Sequence, residues 1–123
     1  MQRQSTKKTT KKSEMLPGTL DMLILKTLER NTQPMHGYGI AQSIKQISNE
    51  VLQVEEGSLY PALQRMMRRG WIRSSWRASE NNRRARYYEL APEGRRQLAA
   101  LMADWDRSSR AVDRVLRFAL QGG

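Results

Sequence analysis

Apolar side chains recur at helical spacing in three stretches before the period changes. Leu20, Leu23, Ile24 and Leu28 repeat every three or four residues and predict a first helix with one buried face. Pro17-Gly18-Thr19 precedes them, with Thr19 as the expected cap and Asp21 in the first turn, where a carboxylate suits the helix dipole. A polar break at 31–34 ends this helix. The second runs over 36–48 on a stripe of Ile40, Ile44 and Ile47. Gly37 and Gly39 weaken its start, and glycine there points to a close approach, read as another helix lying across it. Residues 49–55, with Val51, Leu52 and Val54, form an extended link. The third helix spans 58–69, with Ser58 as cap, Pro61 in the first turn, where its missing N–H costs nothing, and Gly70 as the stop. Leu59, Leu63 and Met66 or Met67 face inward, so Tyr60, Gln64, Arg65 and Arg68 face outward.

Beyond Gly70 the pattern changes. Segments 71–77 and 86–90 are rich in aromatic residues and strand-like. Between them, 78–84 is turn-forming, and Asn81-Asn82 tolerates unusual dihedral angles. Ala91-Pro92-Glu93 opens a last helix whose apolar positions are Leu98, Leu101, Met102, Trp105, Val112, Val115 or Leu116, and Ala119. About 28 residues of helix span roughly 42 Å, too long to bury against a small body alone. The simplest partner is a second copy across a two-fold axis, which assigns Leu98, Leu101, Met102, Trp105, Val112 and Leu116 to a dimer interface. The expected fold is therefore mainly α with a small β-hairpin: a winged helix-turn-helix at 15–91, a C-terminal dimerisation helix at 92–120, and a disordered basic tail at 1–14.

Charge gives this arrangement a function. The chain of 123 residues carries a net charge of +10, which favours a polyanionic partner, nucleic acid or an acidic membrane surface. Arg3, Lys7, Lys8, Lys11 and Lys12 lie in the tail, which reads equally as a solvated leader or an arm on the DNA backbone. Arg65, Arg68, Arg69, Arg73, Arg77, Arg83, Arg84 and Arg86 follow in one stretch opposed only by Glu80. A solvated face is the plain explanation of such a run. Arginine without lysine, however, suits bidentate contacts to phosphate or guanine. An exposed tyrosine beside glutamine and arginines on a short helix suits a major-groove reader.

Other chemistries find little support. There are no cysteines, so disulfides and thiolate metal sites are excluded, and a reducing, cytoplasmic setting is expected. His36 is the single histidine and is read as a structural residue at the start of the second helix; no catalytic triad, metal site or cofactor is expected. No run reaches the roughly 18 apolar residues of a membrane span, and no apolar signal core follows the basic N-terminus.

Particular segments also resemble a known family. Residues 16–25 (LPGTLDMLIL), His36-Gly37-Tyr38, 56–63 (EGSLYPAL) and 86–90 (RYYEL) are similar to the PadR family of transcriptional regulators, with Gly-Ser-Leu-Tyr-Pro-Ala-Leu the most specific segment. The resemblance covers roughly 16–120 and is to the shorter subgroup, which has a single C-terminal helix. It implies a homodimer with crossed C-terminal helices that binds a palindromic site on double-stranded DNA, usually as a repressor. It places Ser58, Tyr60, Pro61 and Gln64 at the reading surface and Arg83, Arg84 and Arg86 around the wing turn. It also offers Trp105 as a platform for a flat hydrophobic or aromatic effector, although packing at the dimer seam is the plainer assignment. Met66-Met67-Arg68-Arg69 makes the reading face more basic than is common in the family, and Ala91 stands where threonine is frequent. The rival reading is a basic module that binds RNA or an acidic protein without sequence-specific regulation.

Overall fold

A computed structural model describes residues 17–122; the basic tail expected at 1–14 lies outside them. Helix α1 (Pro17–Arg30) leads into a short strand β1 (Met35–His36) and helix α2 (Gly37–Ile47). Helix α3 (Glu56–Arg68), strands β2 (Ile72–Ala78) and β3 (Arg84–Leu90), and helix α4 (Pro92–Gly122) complete the order. The sheet is antiparallel in the order β1-β3-β2. Sequence periodicity did not anticipate β1, whose two residues pair with Tyr88 and Tyr87 and are too few to show alternation.

The core forms where the helical stripes meet the base of the sheet. Leu20, Ile24, Leu25 and Leu28 of α1 pack with Ile40 and Ile44, with Leu59, Leu63 and Met66, and with Ile72 and Tyr88. Ile47, placed in the stripe of α2 by spacing, is instead 59% exposed because α2 ends there. The expected link opens on a tight left-handed turn at Asn49 and Glu50, both with positive φ, and only then extends.

Local chemistry sets the ends of α3. At the C-terminus Gly70 adopts φ +76°, Gly70 N–H donates to the Met67 carbonyl and Trp71 N–H to the Met66 carbonyl. This is the Schellman arrangement that glycine accepts without steric penalty. At the other end the helix begins at Glu56, so Ser58 lies on the exposed first turn and Pro61 falls beyond it, correcting both expected positions. Pro61 therefore leaves the Gly57 carbonyl without its usual intrahelical donor.

Helix α1 likewise starts before Thr19, which places Asp21 in the second turn, away from the helix end. Asp21 is buried, and its Oδ1 accepts from Arg65 Nη2 at 2.6 Å. Arg65, expected on the reading face, instead ties α3 to α1. Removing one partner of a buried pair strands the other charge. Because Arg65 is 30% exposed, Asp21→Ala should cost about 1–3 kcal/mol, and urea unfolding checks this. Asp21→Ala combined with Arg65→Met should recover most of the loss, as expected for a charge left alone.

Helix α4 is 31 residues long, about 46 Å. Only its first turns pack on the body: Leu98 is 2% exposed within its own core, and Leu101 is half-buried against it. This corrects the placing of Leu98 in an intersubunit seam. From Met102 onward Met102, Trp105, Val112, Val115 and Leu116 form an exposed stripe, and Phe118 is exposed on another side of the helix. Among the described residues no helix is long and apolar enough to cross a membrane.

Candidate nucleic-acid interface

The exposed face of α3 carries Ser58, Tyr60, Pro61, Gln64 and Arg68, while Leu59, Ala62, Leu63 and Met66 are buried beneath them. The 3.6-residue period thus separates exposed side chains from packing side chains on one helix. Tyr60 leans back over α2, and a Cβ at Gly37 would sit 2.8 Å from the Tyr60 hydroxyl. Gly37 is the space that lets the ring settle there, so the close approach expected at this glycine is made by a tyrosine of α3. Tyr60 remains 41% exposed.

His36 caps α2, with Nδ1 accepting from Gly39 N–H at 3.0 Å. Its ring meets Tyr87 edge-on at 5.4 Å. Both ties are structural, as the sequence led us to expect. They join the start of α2 to β3, the strand that carries the wing.

The wing turns at residues 79–83, where Asn82 takes φ +62° and Ser79 N–H donates to the Arg83 carbonyl at 2.7 Å. Arg83 and Arg84 are exposed there, and Arg86 lies lower on β3, half-buried. Burial pushes the Tyr88 phenol above its usual range, against the pull of the Arg86 guanidinium beside it.

The electrostatics distinguish the wing from the rest of the surface. On α4, Arg96, Arg107, Arg110 and Arg117 each pair with a carboxylate three or four residues away. Arg65 and Arg95 are paired as well. Among the described residues, Arg68, Arg73, Arg77, Arg83, Arg84 and Arg86 form no ion pair. Arg30, Lys45, Arg69 and Arg114 are unpaired as well, so most but not all of the uncompensated charge among the described residues lies at the end of α3 and on the wing, where a polyanion would meet it.

Helix α3 and the wing border a common groove. It has a volume of about 750 Å³ and is lined by Tyr60 of α3, Gly39 and Gln42 of α2, and Arg86 and Tyr88 of β3. Of the predicted DNA-contacting residues, Tyr60 and Arg86 line this groove; Ser58, Pro61, Gln64 and Arg68 are exposed on α3, Arg83 and Arg84 are exposed at the wing turn, and Arg65 is drawn to Asp21. Sequence reasoning missed Trp76. It is 54% exposed, and the guanidinium carbons of Arg84 and Arg86 lie 5.1 Å and 5.0 Å from its ring centre. The signal was within reach: extending the second strand back to Arg84 puts both arginines on the face of Trp76.

Three helices, a two-stranded wing and an exposed arginine-rich surface define a winged helix-turn-helix protein of the DNA-binding class. Residues 24–100 match the PadR-like family of transcriptional regulators, and the chain belongs to that family. It is accordingly a DNA-binding regulator of transcription rather than an enzyme. The fold is similar to that of a transcriptional regulator from Clostridium thermocellum, at 27% identity over 79% of this chain and 92% of that one, with a TM-score of 0.71. A PadR-like transcriptional regulator from Bacillus cereus is similar at 29% identity over 85% and 97% of the two chains, with a TM-score of 0.68. An uncharacterised protein from Lysinibacillus sphaericus is 26% identical over 102 residues, 83% of this chain and 92% of that protein.

Proposed function

We propose that the chain acts in the cytoplasm as a homodimeric repressor of a palindromic operator. In this reading α3 enters the major groove and the wing lies on the flanking backbone or minor groove. The observation that carries it is the common groove that sets Tyr60 of α3 and Arg86 of the wing on one side. The exposed stripe from Met102 to Leu116 supports the second copy, because a lone subunit leaves that apolar surface in water. Two copies would present two reading helices about 34 Å apart, one DNA turn.

Selection from a random duplex pool with full-length protein at ~150 mM salt tests this reading. It should enrich an inverted repeat with half-site centres 10–10.5 bp apart. Equal binding to enriched and random DNA would instead leave a basic module without regulatory specificity. Transcription from a promoter carrying the enriched site should fall when the protein is added.

Two substitutions should then behave differently. Arg83→Ala should weaken binding to every duplex and lower the salt slope by about one. Gln64→Ala should instead relax preference at particular base pairs, by about 1–3 kcal/mol per pair, read by competition binding.

Trp105, 53% exposed on the stripe, supports an effector reading as well. A planar hydrophobic or aromatic compound would stack against it and quench its fluorescence, and Trp105→Ala should abolish that quenching.

A further inference from the structure

We propose that the inner face of the wing reads the minor groove of A·T-rich DNA beside each half-site, with Trp76 as the positioning residue for Arg84 and Arg86. The inference rests on the DNA-binding reading above and adds a specificity that the recognition helix does not supply.

The pairing register decides which side chains share this face. Ile72 lies opposite Leu90, Ser74 opposite Tyr88, and Trp76 opposite Arg86, with Arg84 two residues further along the same strand. The face is continuous but divided. Its lower half, Ile72 and Tyr88, is buried in the core; above it Arg86 is half-buried, its guanidinium beside the Tyr88 phenol, and Trp76 and Arg84 are exposed. The core packing that fixes Tyr88 therefore also fixes the direction in which the indole and both guanidiniums point. Arg77 lies on the opposite face, 5.9 Å from the Tyr87 ring, and does not join them.

Two cations gathered on one exposed ring repel each other, and no carboxylate among the described residues pairs with either. Each stack on the indole is a weak attraction, enough to set orientation without neutralising charge. Phosphate contacts have no need of this convergence, because phosphates are strung out along the backbone. A minor groove about 6 Å wide does, and its negative potential deepens where A·T tracts narrow it. A guanidinium is weakly hydrated, and one already stacked has shed part of its water, so its entry into the groove costs less.

The test uses the duplex enriched by selection with the full chain. Its flanks, outside the pairs under α3, are built with A·T, G·C or inosine·C pairs. Inosine lacks the minor-groove amino group of guanine but keeps its major-groove edge, so it separates the two grooves. Wild-type protein should bind the G·C-flanked duplex about 10-fold more weakly than the A·T one, and inosine·C should restore most of the loss. Trp76→Ala should bring A·T and G·C flanks within about twofold of each other while keeping discrimination at the pairs under α3. Arg84→Lys, which keeps charge but loses the planar fork, should lose flank discrimination in the same way and serves if the tryptophan variant melts early.

The inference is overturned if inosine·C behaves like G·C, or if flank discrimination survives both substitutions. If no duplex is enriched at all, the operator reading itself fails, whereas an enriched duplex with indifferent flanks overturns only the present inference.

Discussion

Gly94→Ala should lower the melting temperature by about 10 °C, although alanine is the better helix former. In an open helix position the change would stabilise by about 0.8–1.0 kcal/mol. Here an ideal Cβ at Gly94 would lie 2.0 Å from the Trp71 carbonyl oxygen and 2.9 Å from Leu90 Cδ1. The oxygen has no freedom to retreat, because it accepts from Ala91 N–H at 2.9 Å, and Trp71 N–H is itself held by the Met66 carbonyl. Overpacking against backbone costs about 1–3 kcal/mol and occasionally more, which outweighs the helix gain. An approach of 2.0 Å to a held backbone oxygen puts the cost at the upper end, so the net destabilisation is about 2 kcal/mol, which corresponds to that melting shift in a domain of this size. Gly94→Val should be worse, since it adds bulk and loses the propensity gain. The sign is the test: a rise in melting temperature with alanine would mean that α4 does not press on the end of α3.

That contact matters because Trp71 joins three elements. It follows the Gly70 stop of α3, leads into β2, and receives the start of α4. The reading helix, the wing and the long helix are keyed to one carbonyl, so a shift of α4 would be felt at both parts of the interface.

The second large effect is expected on assembly. Trp105→Glu with Val112→Glu, seven residues apart on one face, should convert a dimer to a monomer in sedimentation at micromolar protein. Both side chains are more than half exposed in the single copy, so the fold and its melting should survive. Operator affinity should fall by about 100-fold or more, because the second half-site is no longer tethered to the first. A variant that still sediments as a dimer would remove α4 from the interface. A monomer with unchanged operator affinity would remove the two-fold reading of DNA.

Much of this was legible in the chain because it rests on local period and local chemistry. Leu20, Ile24 and Leu28 define α1; Leu59, Leu63 and Met66 define α3; Gly70 ends α3; Pro92 opens α4. The candidate site was legible for the same reason, since Ser58, Tyr60, Gln64 and Arg68 fall opposite the packing stripe.

What escaped depends on which elements meet. Spacing cannot show that Asp21 turns to Arg65 44 residues away, nor that Leu98 is covered by its own body while Met102 is not. Gly94 reads as a weak helix position until Trp71 is seen against it. Trp76 was hidden by a strand boundary: with Arg84 assigned to the turn, the shared face of indole and guanidiniums could not be drawn. A two-residue strand such as β1 has no period to detect.

In the proposed complex α3 and the wing address DNA from one side of a two-fold molecule. Because the chain has no cysteine, a single thiol can carry a tethered DNA-cleaving iron chelate without background. Gly57→Cys, at the open start of α3, and Glu80→Cys, at the wing tip, are the two positions. On the selected duplex, the chelate at 57 should cut at two places 10–10.5 bp apart, and the chelate at 80 should cut outside them on both flanks. Cutting from 80 that is absent, or that falls between the two α3 sites, would contradict the account.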